Sequence, residues 1–355
     1  MIRQNTTAAL LCLVFFILLL GPGLAFADKE FDRVVVFGDS LSDPGNAFSL
    51  SGVSIKPPYS SLDEFLIPGA PYARGGHHFS NGETWVERFA AKLDLKESAG
   101  PAFDGQNRGK LKKTNYAVGG ARARDYGQNI NLATQLAAFF SDAQGQASEQ
   151  SLYVVALGGN DLRDAVAALS LDSSGLISAE IVATALSAIS DAVIALHSAG
   201  AKRVMVANVP DLSLTPAIRR LDLVSPGTAM GASILSAQFN SELDGLLDTL
   251  GQSSPGLEII TMDLYEITRE IITTPEEYGF LNVHDSCVMP DQEPAACKKP
   301  NTYFFWDGIH PSKRTHRVFA RKAHKAYKRF KSESEAVCLP SRKPLKAGCS
   351  SALWL

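Results

Sequence analysis

The stretch Arg33-Val34-Val35-Val36-Phe37-Gly38-Asp39-Ser40-Leu41-Ser42-Asp43-Pro44-Gly45-Asn46 decides the fold class of this 355-residue chain. Its first half is short, β-branched and almost continuously apolar, as a strand buried on both faces should be. Its second half is a run of turn formers, so the strand ends in a polar loop. Four more runs read the same way: Thr114–Val118, Leu152–Leu157, Arg203–Ala207 and Leu257–Met262. Between them Gly82–Leu93, Ile130–Phe140, Ser178–His197 and Gly227–Leu250 carry apolar residues three and four apart and read as helices. A last helix is expected from Pro311, with Phe319, Ala323, Tyr327 and Phe330 on one face and Lys and Arg on the other. The alternation predicts an α/β fold, a parallel five-stranded sheet with helices on both faces. No repeat and no Gly/Ser-rich or Pro-rich linker divides the chain, so one domain over 28–355 is expected, with 49–78 and 275–301 as long loops or small insertions near one rim of the sheet.

Residues 1–27 stand apart. Arg3, the apolar run Ala8–Leu20 and the small-residue pattern Ala25-Phe26-Ala27 make a signal-peptide plan, with an uncleaved N-terminal anchor as the alternative, so the chain is expected to be exported, to a periplasm or to the medium. After Asp28 no segment reads as long and apolar enough to cross a bilayer. Without the leader, 33 Lys and Arg face 37 Asp and Glu, a formal charge of −4, which is not the balance of a nucleic-acid binder. The basic stretch Lys313–Lys346 is a candidate for peripheral contact with anionic surfaces, against the plainer reading of a solvated face. Four cysteines remain, Cys287, Cys297, Cys338 and Cys349, an even number that fits disulfides in an oxidising compartment. Three connectivities are open, and close spacing favours Cys287 with Cys297 and Cys338 with Cys349. No metal is expected, because neither C-x-x-C nor H-E-x-x-H occurs.

In an open parallel sheet, ligands gather beyond the carboxyl ends of the strands. Three expected strands end in Gly38-Asp39-Ser40-Leu41-Ser42, Gly119-Gly120-Ala121 and Gly158-Gly159-Asn160-Asp161, and a fourth segment, Phe305-Trp306-Asp307-Gly308-Ile309-His310-Pro311, precedes the last helix. A serine hydroxyl needs an adjacent base to become a nucleophile, and imidazole suits because its pKa lies near neutrality. A carboxylate three residues ahead, Asp307, can orient His310 and stabilise its charged form. Acyl transfer also needs donors aimed at the developing oxyanion, a task for the Asn160 amide and a glycine N–H after the second strand.

Read in order, these segments resemble the blocks of the GDSL/SGNH hydrolases: F-G-D-S-L-S-D-x-G-N, N-Y-A-x-G-G-A, G-x-N-D and D-x-x-H-P. Phe79-Ser80-Asn81-Gly82 and Trp85-Val86-Glu87 are similar to a segment of the longer esterase- and lipase-like members, except that His78 stands where an Arg is usual. The resemblance implies a three-layer α/β/α sandwich, SGNH-hydrolase or flavodoxin-like. It implies Ser40 as nucleophile and first oxyanion donor, Gly120 as the second, Asn160 as the third, and His310 and Asp307 as the other triad members; Gly119 is the alternative to Gly120. No cofactor is implied, and the substrate is a small-molecule or lipid ester. The G-x-S-x-G elbow of α/β-hydrolases is absent.

Plainer readings exist for each residue. Ser40 alone would serve as a helix cap, a reading the other three blocks outweigh. Asp39 and Asp43 read as turn or cap residues, Asn46 as a brace, and Asp161 as the cap of the helix that follows it. His77, His78, His197, His284, His316 and His324 read as bystanders, the last two on the basic helix. The competing functions are a lipase, phospholipase or acyltransferase with the same triad and, from another class, an inactive lipid- or polysaccharide-binding protein on a hydrolase fold.

Overall fold

The computed structural model describes residues 30–51, 78–104, 110–127, 130–288 and 296–338. The expected leader, Cys349, the side chain of Cys338 and most of the loop 49–78 lie outside them, and so does the expected second disulfide. The described residues from Arg33 onward belong to one compact unit. In chain order its elements are β1 (Arg33–Gly38), α1 (Asn46–Ser51), α2 (Trp85–Lys92), α3 (Leu132–Asp142), β2 (Ser151–Ala156), α4 (Gly159–Ala168), α5 (Leu176–Ser198), β3 (Arg203–Ala207), α6 (Pro216–Val224), α7 (Thr228–Ser253), β4 (Glu258–Met262), α8 (Leu264–Thr273), β5 (Asn282–Ser286), β6 (Tyr303–Phe305) and α9 (Lys313–Cys338).

The main sheet is parallel, in the order β1-β2-β3-β4, with Val36 beside Val154, Val154 beside Met205 and Met205 beside Ile260. Successive side chains go to opposite faces. Val35, Phe37, Tyr153, Val155, Val204 and Val206 join one core with Phe139 of α3, Leu162 of α4, Val193 of α5 and Phe239 of α7. Val34, Val36, Leu152, Val154 and Met205 are equally buried and turn to the other face, covered by α9 and its partner α2. Both faces are dry, which is why the strands are nearly continuous apolar runs.

The expected fifth strand is a finding of its own. Residues 114–118 do run beside β1: Val36 donates to Thr114 O (2.9 Å), Tyr116 to Val36 O (2.7 Å) and Val118 to Gly38 O (3.1 Å). Yet only Asn115 makes a bridge, and the sheet has four strands. The ladder is intercepted at Gly38, whose N–H donates to Gln135 Oε1 (2.9 Å) while Gln135 Nε2 donates to Gly38 O (2.8 Å).

The stretch 275–301, expected as a long loop or small insertion, holds β5, which pairs in parallel with β6, and its end is tied by the Cys287–Cys297 disulfide. Two further expectations are corrected. α9 begins at Lys313 instead of Pro311, because Pro311 bridges to Phe305 and the Ser312 hydroxyl accepts the Thr315 N–H at the helix start. α5 is long and apolar enough to cross a membrane by length and composition, with a mean hydropathy of 1.7. Its Val182, Leu186, Ile189, Val193 and Leu196 are nonetheless buried in the core with the sheet, as those of a covering helix.

Candidate active site

The site forms where β1 stops. The buried Asp39 accepts the Leu41 N–H at Oδ1 (3.0 Å) and its carbonyl accepts Ser42 N–H (3.1 Å), a turn that presents Ser40. Burial pushes the Asp39 carboxyl up to about 6, against the pull of that hydrogen bond and of His310. A Cβ on Gly38 would meet Ser42 Cβ at 2.9 Å and Ala156 O at 3.2 Å, so the close approach of the turn to β2 requires glycine. Asp43 accepts from Gly45 (2.7 Å), Asn46 (2.6 Å) and Ala47 (3.1 Å), opening α1, and also from Gly119 (2.8 Å). Asn46 donates to Asn115 O (2.7 Å) and Ala117 O (2.8 Å) and accepts from Phe103 N (3.1 Å), so it braces the first loop against the second.

The loop before α9 folds over its own carboxylate. Asp307 Oδ1 accepts the N–H groups of Ile309 (2.8 Å) and His310 (2.7 Å), which curls the chain so that His310 Nδ1 meets Asp307 Oδ2 at 2.7 Å. The other ring nitrogen, Nε2, lies 2.8 Å from Ser40 Oγ. Asp307 and His310 are buried, and 9% of Ser40 is exposed. The segment 79–82 clamps this loop from outside: the Phe79 ring lies 5.3 Å from the His310 ring, Ser80 Oγ donates to Pro311 O (2.9 Å), and Asn81 Oδ1 accepts from Lys313 N (2.7 Å).

Gly119 and Gly120 are not equivalent. The Gly119 N–H is taken by Asp43, and a Cβ there would lie 2.2 Å from the Phe79 ring. Gly120 has φ +81° and open space where a Cβ would be. Its carbonyl accepts from Arg122 Nη1 (2.8 Å), and Arg122 forks onto Asp164 (3.0 and 2.9 Å). Asn160 sits in the first turn of α4, where Nδ2 donates to Ala121 O (2.9 Å) and Oδ1 accepts from Arg163 (3.3 Å); these partners leave one amide hydrogen of Nδ2 uncommitted. Asp161 does not cap its own helix. It accepts the N–H groups of Ala123 (2.8 Å) and Arg124 (3.3 Å) and so fastens the glycine loop to α4; burial pushes its carboxyl up to about 6.

Sequence reasoning passed over Gln135 and gave Asn115 no task. Gln135 sits on the buried stripe Leu132, Gln135, Leu136, Phe139 of α3, and a polar residue in such a stripe is a readable signal. Asn115 donates to Ser42 O (2.9 Å) and accepts from Ala117 N (3.0 Å), joining the two loops. His316 is not on the basic face: it is buried, accepts the Trp85 N–H at Nδ1 (3.1 Å), and burial holds its pKa well below the ordinary value. His78 pairs with Glu87 at 2.9 Å; burial opposes its charge, but Glu87 outweighs that and raises its pKa. Among the described residues no group of His, Cys, Asp and Glu is arranged to hold a metal.

A family model described as GDSL-like lipase/acylhydrolase matches residues 34–323. Similar proteins include three GDSL esterase/lipases of Arabidopsis thaliana. One is 24% identical over 340 residues, covering 86% of this chain and 94% of its own. A second is 28% identical over 350 residues, covering 89% and 93%. The third is 27% identical over 348 residues, covering 88% and 90%.

Proposed function

Taking as premise that the chain belongs to the GDSL-like lipase/acylhydrolase family, whose members hydrolyse ester bonds, we propose that it is an exported serine esterase working through an acyl-enzyme on Ser40. The observation that carries this reading is the relay from Ser40 Oγ to His310 Nε2 (2.8 Å) and from His310 Nδ1 to Asp307 Oδ2 (2.7 Å). His310 takes the Ser40 proton as Oγ attacks the ester carbonyl. The Nδ1–H faces Asp307, which leaves Nε2 free to accept and stabilises the imidazolium. The carbonyl oxygen becomes an oxyanion held by the N–H groups of Ser40 and Gly120 and by the uncommitted hydrogen of Asn160. Gly120 is preferred to Gly119 because the latter's N–H is spent on Asp43. As the carbonyl re-forms, the C–O bond to the alcohol breaks and His310 returns the proton to the leaving oxygen. Water then attacks the acyl-enzyme with His310 again as base, releasing the acid and restoring Ser40.

Export is supported by the leader pattern before Asp28 and by the Cys287–Cys297 disulfide. Made with its own leader, the purified protein should begin at Asp28 and release a burst of nitrophenol from p-nitrophenyl acetate or butyrate. Ser40→Ala should lower turnover by about 10⁴–10⁶-fold at unchanged melting temperature. Wild-type rates in that variant would sink the reading, and a folded protein inert toward every ester would favour the binding-protein alternative.

A further inference from the structure

We propose that Arg122, forked onto Asp164 of α4, is a positioning residue that sets the direction of the Gly120 N–H in the oxyanion site; the inference rests on the reading of Gly120 and Asn160 as oxyanion donors. Gly120 is the third residue of a turn closed by the Ala121 N–H on Val118 O (3.1 Å), and its φ of +81° is the value a type II turn requires there. Glycine meets that requirement without strain, but it also adopts other torsions at little cost. Nothing lies within 4 Å of the place its Cβ would take, so side-chain packing does not hold the residue. The direction of its N–H then depends on the peptides on either side. The one before is held by Asp43, which accepts the Gly119 N–H (2.8 Å). The one after is held by Arg122, whose Nη1 donates to Gly120 O (2.8 Å).

Arg122 can hold that carbonyl because its own place is fixed. Nε and Nη2 donate to the two carboxylate oxygens of Asp164 (3.0 and 2.9 Å), and Cζ lies 4.6 Å from the centre of the Tyr126 ring. The side chains of Arg122 and Asp164 are 16% and 20% exposed, which sets the pair apart from a fully solvated one of little worth. Asp164 is anchored in turn by Arg124 Nη2 (2.5 Å), whose Cζ lies 4.7 Å from the same ring. The partners on α4 follow the loop in order: Asn160 donates to Ala121 O, Asp161 accepts the N–H groups of Ala123 and Arg124, and Asp164 takes both guanidinium groups. Loop and helix thus face each other like two rails, with Gly120 on one and Asn160 on the other, and Arg122 is the rung that reaches Gly120. The Asp164 carboxylate balances the charge of Arg122, so the guanidinium acts through geometry and not as a free cation beside the oxyanion.

The test measures p-nitrophenyl acetate hydrolysis and the affinity for butylboronic acid in wild type, Arg122→Met, Arg122→Lys, Asp164→Ala, the double variant of Arg122→Met with Asp164→Ala, and Asn160→Ala as reference. The boronic acid adds to Ser40 Oγ, His310 takes the proton, and the negatively charged tetrahedral adduct puts a boronate oxygen where the oxyanion would form. Arg122→Met should lower kcat and kcat/KM alike by about 10- to 100-fold, less than the loss of a donor, because the N–H is misdirected and not removed. Boronate affinity should fall in proportion. Asp164→Ala should behave in the same way, and the double variant should lose no more than the worse single, since both act through one carbonyl. Arg122→Lys, which keeps the charge without the fork, should restore little of the rate. Arg122→Met within about twofold of wild type in rate and affinity overturns the proposal. So do losses that multiply in the double variant, a fall in kcat without a fall in boronate affinity, or full activity in Arg122→Lys. If Asn160→Ala also leaves rate and affinity untouched, the oxyanion site proposed above fails; if it loses both while Arg122→Met loses neither, the clamp alone fails.

Discussion

The two sides of Ser40 are built in opposite ways. Toward β1 and the glycine loop the surroundings are polar and matched group for group: Gln135 takes both main-chain groups of Gly38, Asn46 and Asn115 lace the loops together, and Asp43 and Asp161 collect main-chain N–H groups. Toward α4 and α6 Leu212, Ile218, Leu221, Val166 and Ile309 contribute apolar area to the wall, set among Arg163, Asp164 and Thr215. The first kind of wall fails discretely, because a buried donor either has its partner or lacks it. The second changes by degrees, roughly with the apolar area covered. One side can therefore stay fixed on a single reaction while the other is adjusted to a substrate.

The sharpest way to break this contrast is at Asn160. On the proposed mechanism Asn160→Ala should lower kcat on a short ester by about 10²–10³-fold with little change in KM, since the hydrogen bond it would lose is one made to the oxyanion. A loss carried mainly by KM would make Asn160 a substrate-binding group and blur the two sides. Next comes Gln135→Met, of similar length and volume, which strands the buried Gly38 N–H. Urea unfolding should show a destabilisation of about 2–4 kcal/mol. Much less than 1 kcal/mol would mean that Tyr116 O takes over that N–H and residues 114–118 close into a regular fifth strand.

The smallest effect concerns Asp39, whose carboxyl titrates near 6 in the fold against an ordinary 3.8. A carboxyl with a raised folded pKa holds its proton more tightly when folded. Its contribution thus favours the fold below about pH 4 and is lost as pH rises through 6. Asp39→Asn removes that titration, so the stability of the variant relative to wild type should rise by about 1–3 kcal/mol between pH 4 and 7. A difference that stays level across that range would show that the buried carboxylate ionises without penalty.

The sequence displayed one of these sides far better than the other. That Ser40, Asp307 and His310 come together is legible because they lie in short blocks at the ends of apolar runs, where strand gives way to turn. Helix and strand cores were legible for the same reason of periodicity. Gln135 was not, since its task is to interrupt a ladder between β1 and 114–118, and no local pattern reveals which N–H a side chain 97 residues away will take. Asp161 was misread as a local cap because its true partners, Ala123 and Arg124, lie in another loop. The cavity between α4 and α6 was invisible: its walls come from α4, α6 and the residues after β3, and their apolar side chains read as ordinary core until it is seen.

Ser40 and His310 meet across 270 positions of chain. At translation rates of about 5–20 residues per second, roughly 15–55 s separate the synthesis of the nucleophile from that of its base. During that interval the growing polypeptide contains a hydroxyl with nothing to deprotonate it. The cell that makes the protein is thereby shielded from an ester-cleaving activity while the chain is still growing, and the onset of ester hydrolysis marks the moment at which these two distant segments have come together.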